Sequence, residues 1–74
     1  MSRLPVLSGK EVATRLEKAG FIFVRRVGSH LILRRQGTPS LTLSVPDHKE
    51  LKKGTLRMVL RQAGITVQEF AKLK

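Results

Sequence analysis

The spacing of the apolar residues changes at Gly20, and no other feature restricts the fold of this chain as much. Before Gly20 the apolar residues recur every three or four positions, which is typical of an amphipathic helix. Ser8 and Glu11 stand at the start of this stretch in the pattern of a capping box. The sequence therefore predicts a helix over residues 8–19.

After Gly20 the chain is rich in β-branched and aromatic residues and follows the pattern of strands. Residues 21–27 and 30–35 form two such runs, and the Gly-Ser pair between them suits a tight turn. Residues 41–45 alternate apolar and polar side chains, as a half-buried strand does. We therefore predict three antiparallel strands that follow one another along the chain.

Apolar residues at helical spacing return over residues 54–63, which predicts a second long helix. Thr66 and Glu69 form another capping-box pair and predict a short last helix. The order of elements indicates the α+β class, with one three-stranded antiparallel sheet backed by helices. The length predicts a single domain over residues 1–74.

The charge of the chain is strongly positive and unevenly distributed. There are 15 Lys and Arg against 5 Asp and Glu, a formal net charge of +10. No acidic residue stands between Glu17 and Asp47. That stretch contains Lys18, Arg25, Arg26, Arg34 and Arg35. Such a concentration favours a polyanionic partner, above all nucleic acid, over an excess that only maintains solubility. A membrane surface is less favoured because no helix combines a long apolar face with a basic one.

Other classes of site find little support in the sequence. A core of this size leaves no room for a deep pocket, so an open site for a large substrate is expected. With no cysteine, two distant histidines and scattered carboxylates, the sequence predicts neither a metal site nor a cofactor. Phe21, Phe23 and Phe70 are expected to lie mostly in the core. With no signal-peptide segment, the expected location is the cytoplasm.

His30 is the residue best suited to chemistry. Histidine exchanges a proton near neutral pH, and RNA carries its own nucleophile, the 2′-hydroxyl group. Gly28 and Ser29 precede His30 in a turn whose N–H groups are suited to a phosphate. The arginines that flank it are Arg25, Arg26, Arg34 and Arg35. Because a single strand histidine is more often structural, the residues alone leave catalysis open.

Two further positions are ambiguous. Leu31, Ile32 and Leu33 are consecutive apolar residues, so the alternation does not tell which side of the second strand is buried. His48 lies between a strand and a helix, where a histidine often stabilises a loop through a hydrogen bond to the backbone. We therefore expect His48 to have a structural role.

Three stretches of the chain resemble one known family. AGFIFVRRVGSH ends at His30, VPDHKELKKGTLRMVLRQAGITVQEF spans residues 45–70, and LSGKEVATRLEKAGF covers the first helix. In this order and spacing they resemble the HicA (YcfA-like) mRNA interferase toxins. Many members carry a basic or small polar residue immediately before the G-S-H motif. This chain has Val27 there, so a phosphate contact at that position is not expected.

The resemblance implies a double-stranded-RNA-binding-domain-like fold, α-β-β-β-α. It implies a toxin endoribonuclease that acts on mRNA with His30 as its catalytic residue, and a HicB-type antitoxin partner. The cleavage is expected to be metal-independent. The predicted RNA-binding residues are Arg25, Arg26, Gly28, Ser29, Arg34 and Arg35. The alternatives are a non-catalytic RNA-binding module that uses the same basic face, and a domain that binds only protein.

Overall fold

The computed structural model describes residues 6–37 and 39–73, and it has a three-stranded antiparallel sheet with helices packed on one face. In chain order the elements are α1 (Gly9–Lys18), β1 (Ile22–Val27), β2 (His30–Arg35), β3 (Leu41–Pro46), α2 (Lys53–Ala63) and α3 (Val67–Ala71). Each strand pairs with the next one along the chain, in the order β1-β2-β3. The predicted α+β class and α-β-β-β-α order are confirmed.

Both predicted capping boxes are present. The Ser8 hydroxyl accepts a hydrogen bond from the Glu11 N–H, and the Glu11 carboxylate accepts one from the Ser8 N–H at 2.9 Å. Thr66 and Glu69 make the same reciprocal pair at the start of α3. The backbone N–H bonds lower the pKa of both glutamates. The caps therefore stabilise the fold above the usual glutamate pKa and lose this contribution as the pH falls through the lowered value.

The core lies between the sheet and the helices. Its largest buried side chains are Phe70, Leu16, Leu33, Leu43, Leu56 and Leu60. Phe21 is also buried, as expected, but Phe23 is 47% exposed, so the prediction that it lies in the core is wrong. Phe23 belongs to β1, an edge strand that α1 leaves partly uncovered. No helix within residues 6–37 and 39–73 has the length and apolar character needed to cross a membrane.

The central strand β2 separates a core-facing side of the sheet from a solvent-facing side. Leu31 and Leu33 are buried against the helices, whereas Ile32 is only half-buried. Because side chains alternate along a strand, Ile32 shares its face with His30 and Arg34. This settles the orientation that the three consecutive apolar residues left open.

The pairing of β1 with β2 contains a β-bulge. Phe23 pairs with Leu33, but Arg25 pairs with Ile32, so Val24 is an extra residue in β1. Regular alternation from Phe23 would have turned Arg25 towards the helices and Arg26 towards solvent. With the bulge, Arg25 opposes Ile32 and faces solvent, whereas Arg26 opposes buried Leu31 and faces the helices.

The first turn of α1 is in close contact with the end of β3. The Gly9 N–H donates a hydrogen bond to the His48 carbonyl oxygen at 2.9 Å. A Cβ at Gly9 would overlap the Pro46 carbonyl oxygen and come within 3.0 Å of Asp47 Cα. These neighbours are backbone atoms that cannot move separately. The absence of a side chain at Gly9 therefore allows α1 to lie against the sheet.

We predict that Gly9→Ala lowers the free energy of unfolding by about 1–3 kcal/mol, the usual cost of overpacking. Gly54→Ala is the matched control, since Gly54 also lies in a helix but a Cβ added there would meet no other part of the chain within 4 Å. The control is expected to gain about 0.4–1 kcal/mol from the reduced freedom of the unfolded chain. Urea denaturation followed by circular dichroism measures both. Equal stability of Gly9→Ala and wild type would contradict the close approach.

Candidate functional site

A two-residue turn joins β1 to β2 and presents His30. Val27 pairs with His30 across this turn, and Gly28 and Ser29 form its two central positions. Gly28 has a φ of 59°, and no residue type other than glycine in the described chain has a positive φ. Glycine at the first central position is typical of a type II′ turn, whose twist matches that of the flanking strands. The predicted tight turn is confirmed, and it leaves His30 exposed at the start of β2.

Arg26 and Asp47 hold this turn against the end of β3. Arg26 Nε donates to the Gly28 carbonyl oxygen at 3.0 Å, and the Arg26 guanidinium forms an ion pair with the Asp47 carboxylate. The Asp47 N–H donates to the Ser29 carbonyl oxygen at 2.7 Å. The carbonyl oxygens of Gly28 and Ser29 therefore both accept hydrogen bonds from residues outside the turn. Sequence reasoning gave Asp47 no role, although it is the acidic residue directly after β3.

The solvent-facing side of the sheet brings His30 together with two arginines. Directly opposed residues of an antiparallel pair share a face, so the register defines this surface. We call it the outer face, and its residues are Ile22, Arg25, Val27, His30, Ile32, Arg34, Thr42, Ser44 and Pro46. Arg25 opposes Ile32, and Arg34 lies on the same strand as His30. None of these nine strand residues is acidic, so the outer face is purely cationic in its formal charges.

The other two arginines of the stretch point to the helix side of the sheet. Arg26 opposes Leu31, and Arg35 opposes Leu41. The Arg35 guanidinium lies 5.0 Å from the centre of the Phe21 ring, within the range of a cation–π contact. Its side chain is half-buried there. The structure therefore does not bring Arg26 and Arg35 to the face that carries His30.

The second histidine acts through its backbone. The His48 carbonyl oxygen accepts the hydrogen bond from Gly9, whereas the residue itself is exposed. This contact joins two backbone atoms and does not require the imidazole ring, and among the described residues the ring makes no hydrogen bond, so the expected side-chain contact of His48 with a loop backbone is not present. In the part of the chain that the structure describes, no three His, Asp or Glu side chains cluster as metal ligands would.

The site thus combines a proton-exchanging group with cations on an open surface. The imidazole of His30 can accept or donate a proton, and Arg25 and Arg34 offer fixed positive charge for a phosphate. Gly28 and Ser29 lie beside them in a turn whose carbonyls are already bound. Such an arrangement is suited to chemistry on a large polyanion.

Comparison with known proteins identifies the family. Residues 9–65 match the family model described as the HicA toxin of bacterial toxin–antitoxin systems. The match runs from the first residue of α1 through the sheet and α2, and it includes the turn with His30. No curated protein matches the chain. Because the family model covers well over half of its residues, the chain belongs to the HicA toxin family of bacterial toxin–antitoxin systems.

Proposed function

We propose that this toxin is an mRNA interferase, an endoribonuclease that works in the cytoplasm and cleaves RNA through His30 without a metal ion. The observation that carries the proposal is the position of His30, at the rim of an outer face with two arginines and no carboxylate. A toxin of such a system has an antitoxin partner, and we propose that a HicB-type antitoxin neutralises it by covering this face.

Substrate binding depends on charge and on the openness of the surface. Arg25 and Arg34 supply positive charge on the outer face, and the turn at Gly28 and Ser29 extends the phosphate-binding surface towards His30. Phosphate contacts give RNA most of its affinity for such a protein. Arg26 and Arg35 contribute differently, because Arg26 holds the turn and Arg35 lies over Phe21. Arg26 remains half-exposed at the edge of the sheet, where it can also reach a phosphate.

The chemistry requires only the substrate and the side chains of this face. The His30 imidazole accepts the proton of the 2′-hydroxyl as its oxygen attacks the adjacent phosphorus. The bond from phosphorus to the 5′-oxygen breaks, and the imidazolium returns a proton to the leaving oxygen. The products are a 2′,3′-cyclic phosphate and a free 5′-hydroxyl. Arginine charge stabilises the negative phosphorane that forms between these steps.

The rival function is RNA binding without cleavage. It would use the same cationic outer face, and the charge alone does not separate the two. The difference depends on the His30 ring, which a binding module does not need. The two functions are therefore distinguished by the RNA cleavage rate and the RNA affinity of variants at this position.

We predict that His30→Ala lowers the cleavage rate by about 10²–10⁴-fold while RNA affinity stays near that of wild type, because the ring transfers a proton. His48→Ala is the matched control, since His48 is also exposed and its backbone contact survives the change. Gel analysis of RNA incubated with purified protein, with and without chelator, measures cleavage. Equal cleavage by His30→Ala and wild type would favour the binding module.

The products of the same reaction test the mechanism. RNA with a single 2′-deoxy nucleotide at the cleavage position should bind but stay intact there, because the nucleophile is absent. Mass spectrometry should find 2′,3′-cyclic phosphate or its hydrolysis product. A 5′-phosphate product, or loss of cleavage in chelator, would instead indicate water activated by a metal ion.

RNA affinity is predicted to fall with salt, and each phosphate contact should add about 0.7–0.9 to the log–log slope. Arg25→Ala and Arg34→Ala should each reduce the slope by about that amount. Arg61→Ala removes the same charge from the exposed side of α2 and serves as the control. Fluorescence anisotropy over a salt series measures the slope. If the control changes it as much as Arg25→Ala does, the outer face is not the phosphate-binding surface.

Asp47 and Arg26 are predicted to be positioning residues for His30. Asp47→Ala and Arg26→Ala should each lower kcat by up to about 10²-fold, because small displacements of a catalytic group are costly. For Asp47→Ala the KM should stay near the wild-type value, and circular dichroism should show an unchanged folded fraction, because partial unfolding would also lower the apparent kcat at constant KM. The double variant should be no slower than the slower single variant, since both remove one ion pair. Additive losses would refute a shared role.

A further inference from the structure

Strand β1 has a surface that neither the helices nor another strand covers. Its residues are all exposed, and it carries four of the six large apolar side chains that are exposed within residues 6–37 and 39–73. These four are Ile22 (55%), Phe23 (47%), Val24 (42%) and Val27 (51%). Ile22 and Val27 lie on the outer face and Phe23 on the helix side, so these side chains flank the edge from both sides. Exposed apolar residues grouped along one strand indicate an interaction surface, whereas single exposed ones are ordinary.

The backbone of β1 is also free along one side. β1 stands at the edge of the sheet, and among the described residues its only strand partner is β2. Alternate N–H and C=O groups of an edge strand point outward and can pair with a further strand. The free edge, Ile22–Val27, can therefore form main-chain hydrogen bonds as well as apolar contacts.

A groove runs beside this edge on the helix side of the sheet. It has a volume of about 500 Å³ and lies between α1 and β1. One wall comes from α1 and the other from β1, and the lining residues are Lys10, Ala13, Thr14, Glu17, Phe23, Arg26 and Leu31. A strand added to the free edge would direct every second side chain towards this groove. An apolar side chain there would cover the exposed Phe23 ring.

The charges near the free edge of β1 restrict which partner strand can pair with it. If two copies of the chain paired through antiparallel β1 strands, four arginines, Arg25 and Arg26 of each copy, would lie within one six-residue strand pair. Like charges across a strand pair are destabilising, and each copy carries a formal net charge of +10. A partner strand with an acidic side chain gains from Arg25, which no acidic residue of the outer face neutralises, whereas Arg26 is already paired with Asp47.

We infer that the free edge of β1 binds an extended strand of the antitoxin, with an apolar side chain in the groove beside Phe23 and an acidic side chain near Arg25. The existence of this partner follows from the family, and its masking of His30 rests on the proposed function. Because β1 ends at Val27, which pairs with His30, a strand on this edge ends two strand spacings, about 10 Å, from the proposed catalytic residue. The antitoxin is thereby anchored next to the surface that it has to cover.

Each part of this interface has a separate physical effect. Main-chain hydrogen bonds give a strand addition its affinity, and pockets for alternate side chains give it specificity. Complementary charge speeds association and orients the partner, whereas a packed apolar centre slows dissociation. The bulge at Val24 interrupts the regular ladder and so restricts the register in which a strand can pair.

The test uses the purified full chain and its HicB-type antitoxin. Amide hydrogen exchange of the free chain and the complex, followed by NMR, should show that outward-facing β1 amides become protected. Phe23→Thr keeps a strand-forming residue but removes the ring, and should weaken antitoxin binding by at least about tenfold. Met58→Gln is the matched control, since Met58 is 62% exposed on α2, and should change the Kd by less than about twofold.

Three results would each contradict a different proposal: the use of the free edge, the identity of its occupant, or the proposed function. If the antitoxin binds while β1 amides exchange as in the free chain, the inference about the edge is wrong and the proposed function is unaffected. If the free chain sediments as a dimer with protected β1 amides, the occupant is a second copy. Absence of RNA cleavage by the wild type would refute the proposed function alone, since exchange and affinity require no cleavage.

Discussion

Burial of Leu31 and Leu33 under the helices determines which side of the sheet meets solvent, and the candidate site depends on that choice. Burying a leucine side chain contributes about 1.5–3 kcal/mol, whereas burying an unpaired charge costs several kcal/mol. A one-residue slip of β2 would place His30 and Arg34 in the core. The register of β2 is therefore strongly fixed, and it holds His30, Ile32 and Arg34 on the outer face.

The bulge within β1 and the turn that follows β1 give its two arginines different roles. The bulge at Val24 turns Arg25 to the outer face, where no acidic strand residue neutralises it. Arg26 is turned to the other side, where it binds the Gly28 carbonyl and Asp47. One arginine thus remains available to a polyanion while its neighbour stabilises the turn that presents His30.

The same strand connects the proposed activity with its control. Phe23 is exposed because α1 leaves the edge of the sheet uncovered, and the groove beside it reaches Arg26, which holds the turn. A toxin that is active alone must keep its cationic face open to RNA, so a regulator needs an anchor that RNA does not use. The free backbone edge of β1 and the Phe23 ring fulfil this condition, although Arg25 of the same strand belongs to the outer face. A polyanion gains little from an apolar ring, whereas a protein strand gains both burial and hydrogen bonds.

The sequence by itself determined the local features of this protein. Both capping boxes, the Gly-Ser turn before His30 and the order of the elements depend on residues that are close together along the chain, and each was predicted. The family was also readable from its motifs. Only the tertiary structure decided the faces of the arginines, the exposure of Phe23 and the contact between Arg26 and Asp47. These depend on a one-residue bulge and on contacts between residues far apart in the chain, which the spacing of side chains does not encode.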